Sequence, residues 1–70
     1  MLNQGEKHLY EFIHEMSGSF MVYLINAIFK ADHGNKQKLA LGFPEEVEAV
    51  TRFQNDPGYS DHIENEYFNI

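Results

Sequence analysis

The chain of 70 residues has no cysteine, no tryptophan and only two prolines. Without cysteine, neither a disulfide nor a thiolate metal site can form. A single core of this size rarely gives more than about 3–5 kcal/mol of net stability, and small domains usually add disulfides, a metal or oligomerisation. Of these three reinforcements, oligomerisation agrees best with the sequence.

Cations are scarce as well. Five Lys and Arg residues stand against eleven Asp and Glu residues, which gives a formal net charge of −6. The few cations form no basic run, so direct binding to nucleic-acid phosphates is not expected. The glycines are scattered, and a phosphate-binding loop would need them clustered beside a Lys and a Ser or Thr.

The sequence contains no long apolar run, and its start does not resemble a leader. Its first eight residues contain no basic segment that leads into an apolar stretch, so we expect no signal peptide. The longest apolar run extends from Phe20 to Phe29 with Asn26 inside it, and it is about half as long as a bilayer requires. We therefore expect a cytoplasmic protein with no membrane partner.

This apolar run is the most informative feature of the chain. A helix over 19–32 has apolar residues around most of its circumference, with only Asn26, Lys30 and the Tyr23 hydroxyl left for water. Such a helix is buried on more than one side. We predict that it lies at the centre of the fold and that Leu24, Ala27 and Ile28 are among the least exposed residues.

Helical periodicity recurs on both sides of this segment. An apolar stripe in 6–16 consists of Leu9, Phe12, Ile13 and Met16, and a second stripe after Pro44 consists of Val47, Val50 and Phe53. Between the first two helices, Gly18 produces either a break or a kink, and a break is favoured. His33-Gly34-Asn35 is predicted to stop the second helix, and 36–41 to form a short helical turn.

A strong turn signal at 55–58 precedes a last short helix, for which Asp61 and Glu64 resemble a capping box. No segment alternates with period two for long enough to predict a sheet. The sequence thus predicts one all-α domain over 1–70, a small bundle of three to four helices around a central apolar helix, with fraying at 1–5 and 68–70.

The stretch Gly42-Phe43-Pro44-Glu45-Glu46-Val47-Glu48, with its flanks over about 18–60, resembles a group of small uncharacterised bacterial and phage or mobile-element proteins. The resemblance implies a helical fold and a bacterial or phage setting. It implies no reaction, and it assigns no functional residue.

The candidate chemical groups are few. Glu11 and His14 have the Glu-x-x-His spacing of di-iron bundles, but the second such motif and the further carboxylates are missing. His33 beside Asp32 is more typical of a charge at a helix end than of a proton relay. The serines lack the context of a nucleophile elbow. We expect no enzyme, no cofactor and no metal.

Two functions fit these observations. The first is a small interaction protein that forms a homodimer through Val22, Tyr23 and Phe29, unless the C-terminal aromatic residues cover that face in a monomer. The second is an acidic inhibitor that mimics nucleic acid and binds a DNA-binding protein. A further protein partner cannot be named from the sequence. The candidate interface residues are Val22, Tyr23, Phe29, Tyr59, Tyr67 and Phe68.

Overall fold

The computed structural model describes residues 1–68 and consists, over that range, of helices without strands. The five helices are α1 (Gln4–Ile13), α2 (Ser19–Lys30), α3 (His33–Ala40), α4 (Pro44–Asn55) and α5 (Tyr59–Phe68). The predicted all-α class is confirmed, whereas the predicted number of three to four helices is too low. None of the helices in this range is long and apolar enough to cross a membrane.

Side-chain caps set several of the helix starts. Asn3 accepts a hydrogen bond from the Glu6 N–H at 2.8 Å, and the Glu6 carboxylate accepts one from the Asn3 N–H at 3.0 Å, which is a complete capping box. Asp32 caps α3 by accepting from the Asn35 N–H at 2.8 Å. Pro44 takes the first position of α4, where its missing N–H costs nothing.

Two of the predicted boundaries are wrong. His33-Gly34-Asn35 begins α3 instead of stopping α2, because Asp32 caps the new helix. Asp61 lies inside α5, which starts at Tyr59 after a turn in which Asp56 accepts a hydrogen bond from the Gly58 N–H. The break at Gly18 is confirmed, since residues 14–18 separate α1 from α2.

The hub of the fold is α4, which packs against each of the other four helices. Helix α1 additionally contacts α2 and α5, and its packing on α4 is the most extensive of the molecule. The central place predicted for α2 is therefore not found. The largest fully buried side chains come from four of the helices: Leu9, Ile25, Ile28, Val50, Tyr59 and Ile63.

Both ends of the described chain join this core. Leu2 is buried among the core residues, and the Met1 ammonium donates to Glu66 at 3.0 Å, while the fraying of 1–5 stays a prediction. Tyr59 and Ile63 are buried, and Tyr67 stacks on Tyr10 with ring centroids 3.7 Å apart. Positions 69 and 70 lie outside the described residues.

Helix α1 ends in a Schellman motif with an unusual residue. The Met16 N–H donates to the Glu11 carbonyl and the Glu15 N–H to the Phe12 carbonyl, the two bonds that define this motif. Glu15 adopts φ 57°, a left-handed conformation that glycine normally supplies at this position. A side chain there costs roughly 1–2 kcal/mol.

We expect Glu15→Gly to raise the free energy of unfolding by about 0.5–1 kcal/mol, because relief of this strain exceeds the added chain entropy of glycine in the unfolded state. Urea denaturation followed by circular dichroism measures the change. Glu15→Ala is the matched control, since it removes the same charge and keeps the strained side chain. Equal stability of the two variants would contradict the conformation described for Glu15.

Candidate functional site

The largest exposed apolar feature of α2 is a row of three residues on one side of the helix. Phe20 is 64% exposed and Tyr23 is 75% exposed, and Ala27 is exposed as well. Their i, i+3, i+7 spacing places them one above the other. We call Phe20, Tyr23 and Ala27 the α2 strip.

Ala27 was predicted to be among the least exposed residues, and this prediction is wrong. Leu24 and Ile28 are buried as expected, because α1 and α4 pack on that side of α2. Ala27 faces a groove between α2 and α3 instead. The apolar circumference of α2 is thus divided into a covered side and an uncovered side.

The groove begins where the α2 strip ends. Its volume is about 450 Å³, and Ala27 belongs to both features. Small and apolar side chains line the groove together with an amide and two ammonium groups: Ala27, Ala31, Leu39, Asn35, Lys30 and Lys38. Such a shape accepts one or two apolar side chains between positive charges.

A second cluster is polar and lies inside the fold. The Tyr59 hydroxyl donates to the Glu6 carboxylate at 2.7 Å, and both residues are buried. The Arg52 guanidinium lies over the Tyr59 ring, 4.3 Å from its centroid, in cation–π geometry. This cluster joins the start of α1 to α4 and α5.

Burial by itself raises the pKa of Glu6. Hydrogen bonds from the Tyr59 hydroxyl and the Asn3 N–H lower it, as do His62 and Arg52, and together these contributions exceed the effect of burial. The pKa of Glu6 therefore lies below its ordinary value. Burial and the Glu6 carboxylate raise the pKa of Tyr59. Tyr59 therefore stays protonated as the donor and Glu6 stays ionised as the acceptor. The pair is a structural link, since neither group reaches solvent well enough to meet a substrate.

We expect Tyr59→Phe to lower the free energy of unfolding at pH 7 by about 1.5–3 kcal/mol, the usual contribution of a hydrogen bond to a charged group. A carboxyl whose folded pKa is lowered stabilises the fold above its unfolded pKa and loses that contribution as pH falls through the folded value. The difference between wild type and Tyr59→Phe should thus shrink as pH falls through the lowered pKa of Glu6.

Urea denaturation at pH 7 and pH 3 measures this effect, with Tyr23→Phe as the matched control because its hydroxyl is exposed. We expect the control to change stability by less than about 0.5 kcal/mol at either pH. A Tyr59→Phe variant that matched this control would contradict the described Glu6–Tyr59 bond.

Histidine–carboxylate contacts connect the helices at two further places. His8 Nδ1 lies 2.6 Å from Glu46 Oε2 between α1 and α4, and His14 Nε2 lies 2.7 Å from Glu64 Oε2 between the end of α1 and α5. In the sequence, His14 shares a Glu-x-x-His motif with Glu11. The structure pairs it instead with a carboxylate fifty positions away.

Among residues 1–68, no group of three or more His, Asp and Glu side chains is arranged to hold a metal ion. The Gln37 amide contacts His33 at 3.2 Å, and Asp32 serves as the cap of α3. His33 and Asp32 thus make their contacts within α3 and at its start.

The predicted interface residues do not share one surface. Tyr23 and Phe68 are 75% exposed, on α2 and α5 respectively, whereas Tyr59 is only 2% exposed and is removed from the set because its side chain is part of the core. Phe29 is half-buried between the rings of Phe12 and Phe53. Val22 and Tyr67 are half-buried.

The structure adds residues that sequence reasoning missed. Phe20, Lys30 and Lys38 are not among the predicted interface residues, although Phe20 and Lys30 belong to α2, the apolar helix of the sequence. The sequence did indicate a local concentration of positive charge, because three of the five cations fall within 30–38.

No protein-family model, curated protein or solved structure matches the chain.

Proposed function

We propose that the protein is a small non-enzymatic interaction protein that binds a second copy of itself through the α2 strip. One observation carries the proposal: two neighbouring aromatic residues of α2 are 64% and 75% exposed. Aromatic side chains bury about 150–250 Å² each, so these two leave roughly 250–300 Å² of apolar surface in one place. This area is close to the lower end of what the largest patch of a typical monomer exposes, and such patches are often functional.

The single chain already buries about as much surface as a folded monomer of its size. The chain exposes 4581 Å² of accessible surface, close to the roughly 4,500 Å² expected of a folded monomer of 8.2 kDa. An incomplete core is therefore no longer the reason to expect a dimer. Exposure of the α2 strip on a folded chain favours a binding role.

The shape of the α2 strip suits an antiparallel pair of α2 helices. Phe20 is large and lies at one end, and Ala27 is small and lies at the other, about 10.5 Å away along the axis. A two-fold axis beside Tyr23 places each Phe20 on the Ala27 of the other copy and brings the two Tyr23 rings together. Such a contact is self-complementary, and its limited area is typical of micromolar affinity.

We expect sedimentation equilibrium at tens to hundreds of micromolar to show reversible dimers of wild type. Tyr23→Glu should be monomeric over the same range with its helicity unchanged, because an exposed substitution has little effect on folding. Phe68→Glu is the matched control, since Phe68 is equally exposed but lies on α5. Monomeric wild type, or dissociation by Phe68→Glu alone, would contradict the proposal.

The alternative of an acidic nucleic-acid mimic has less support. Six of the eleven carboxylates already serve contacts within the chain, to Tyr59, two histidines, the N-terminal ammonium or backbone N–H groups: Glu6, Asp32, Glu46, Asp56, Glu64 and Glu66. A surface that mimics phosphates needs its charges available to a basic partner.

A further inference from the structure

The groove beside the α2 strip has two lysines on its rim that lack acidic partners. Lys30 and Lys38 line the groove, and within the described residues neither forms a salt bridge. Of the other cations, Lys36 donates to Gln54 at 2.6 Å and Arg52 lies over Tyr59, whereas Lys7 on α1 also forms no salt bridge within the described residues. In a chain with more than two acids for each cation, two unpaired ammonium groups beside one apolar groove favour an acidic occupant.

An acidic residue lies at the opposite end of α2. Glu15 is exposed in the linker that precedes this helix, and within the described residues its carboxylate makes no hydrogen bond or ion pair. Met16 beside it is 56% exposed. Together they form an apolar and acidic pair of residues, complementary to the apolar and basic groove.

The antiparallel arrangement brings these two ends together. With each Phe20 over the Ala27 of the other copy, the N-terminal end of one α2 lies beside the C-terminal end of the other. We infer, on the basis of the proposed self-association, that the groove between α2 and α3 receives Phe20 and Met16 of a second copy and that Glu15 of that copy pairs with Lys30.

The proposed contact gives a role to two features that folding alone does not explain, the two lysines of the groove and the strained Glu15. Lys30 and Lys38 concentrate positive charge on one face of an otherwise acidic molecule. This face attracts acidic groups, whereas the rest of the surface repels them. Glu15 occupies a position where glycine would give a more stable helix end. A carboxylate that contributes to binding supplies a reason for the strained residue.

Charge reversal tests the pairing. We expect Glu15→Lys alone, and Lys30→Glu alone, to raise the dimer dissociation constant at least fivefold in sedimentation equilibrium at low salt, because each reversal replaces both symmetry-related attractions with repulsions. Lys7→Glu and Glu48→Lys make the same charge changes on α1 and α4 and should leave the constant within twofold of wild type. Circular dichroism verifies that all four variants are folded.

The decisive sample is a mixture of the two variants. A mixed dimer of Glu15→Lys with Lys30→Glu contains two opposite-charge pairs, so the equimolar mixture should dimerise within threefold of wild-type affinity and weaken in 0.5 M salt. A mixture as weak as either variant alone overturns the inference. If both variants dimerise like wild type while Tyr23→Glu does not, the groove is not part of the contact and the proposed function stands. Monomeric wild type overturns both.

Discussion

Replacement of Gly5 by alanine is expected to lower the free energy of unfolding by about 3 kcal/mol or more, the upper range for overpacking a core. A Cβ atom at Gly5 would overlap the backbone carbonyl carbon and oxygen of Glu45 and would lie 2.6 Å from the Glu46 nitrogen. Backbone atoms cannot rotate away as a side chain can. Helices α1 and α4 would have to separate along the most extensive helix contact of the molecule.

Gly34→Ala is the matched control for this substitution. Both glycines are the second residue of a helix, but the nearest atom to a Cβ at Gly34 is the Asp32 carboxylate oxygen at 3.8 Å. Since alanine favours helix more than glycine by up to about 1 kcal/mol, the control should be as stable as wild type or more stable. Urea denaturation of the three proteins checks this. Equal stability of Gly5→Ala and Gly34→Ala would mean that α1 and α4 do not approach so closely.

Ile63→Ala is expected to cost about 2–5 kcal/mol, the usual range for a fully buried isoleucine. Ile63 is 0% exposed, and it belongs to α5, which packs on α1 and α4. A loss of this size would approach the whole stability of so small a domain. Ile63→Val, with an expected loss of about 0.5–1.5 kcal/mol, should stay folded in water, so that its free energy of unfolding can be measured.

Ile13→Ala provides the comparison for Ile63→Ala. Ile13 is 39% exposed at the end of α1, so the same truncation there should cost less than about 1 kcal/mol. The midpoint of urea denaturation, followed by circular dichroism and by tyrosine fluorescence, gives both values. A free C-terminal segment would instead make the two isoleucine variants equally stable.

The helical class could be predicted from the sequence because it depends on local periodicity. The stripe of Leu9 and Phe12 in α1 and that of Val47 and Val50 in α4 repeat every three to four residues, and both helices are found, although α1 ends at Ile13 and leaves Met16 outside it. The short helix α3 was harder. Gly34 and Asn35 are typical of a helix end, but they lie in the first turn of α3 because the Asp32 side chain caps that helix.

The contacts that organise the fold were beyond sequence reasoning because they join distant residues. Nothing local marks Gly5 as the point where α1 meets α4, and the Glu6–Tyr59 bond spans 53 positions. For the same reason His14 appeared to belong with Glu11. A helix pattern gives the face of each side chain but not the element that will cover it.

The candidate site shows this limit most clearly. The sequence identified α2 as the helix with more apolar surface than the chain could bury, and its exposed aromatic residue Tyr23 was among the candidates. The apolar arc of α2 is so broad, however, that its uncovered part could not be located. Interface residues were predicted around Val22 and Phe29, but the structure leaves Phe20 and Ala27 exposed beside Tyr23.

The central claim of this account is that one chain folds by itself and that its α2 strip and the adjoining groove bind a second copy. The most direct test is a series of ¹H–¹⁵N correlation spectra of wild type recorded on dilution from about 1 mM to about 20 μM, a range that brackets micromolar dimerisation. The account predicts shift changes confined to 15–39, with the dispersion of a folded protein retained at the lowest concentration. Spectra that do not change with concentration, or changes centred on α5, would contradict it.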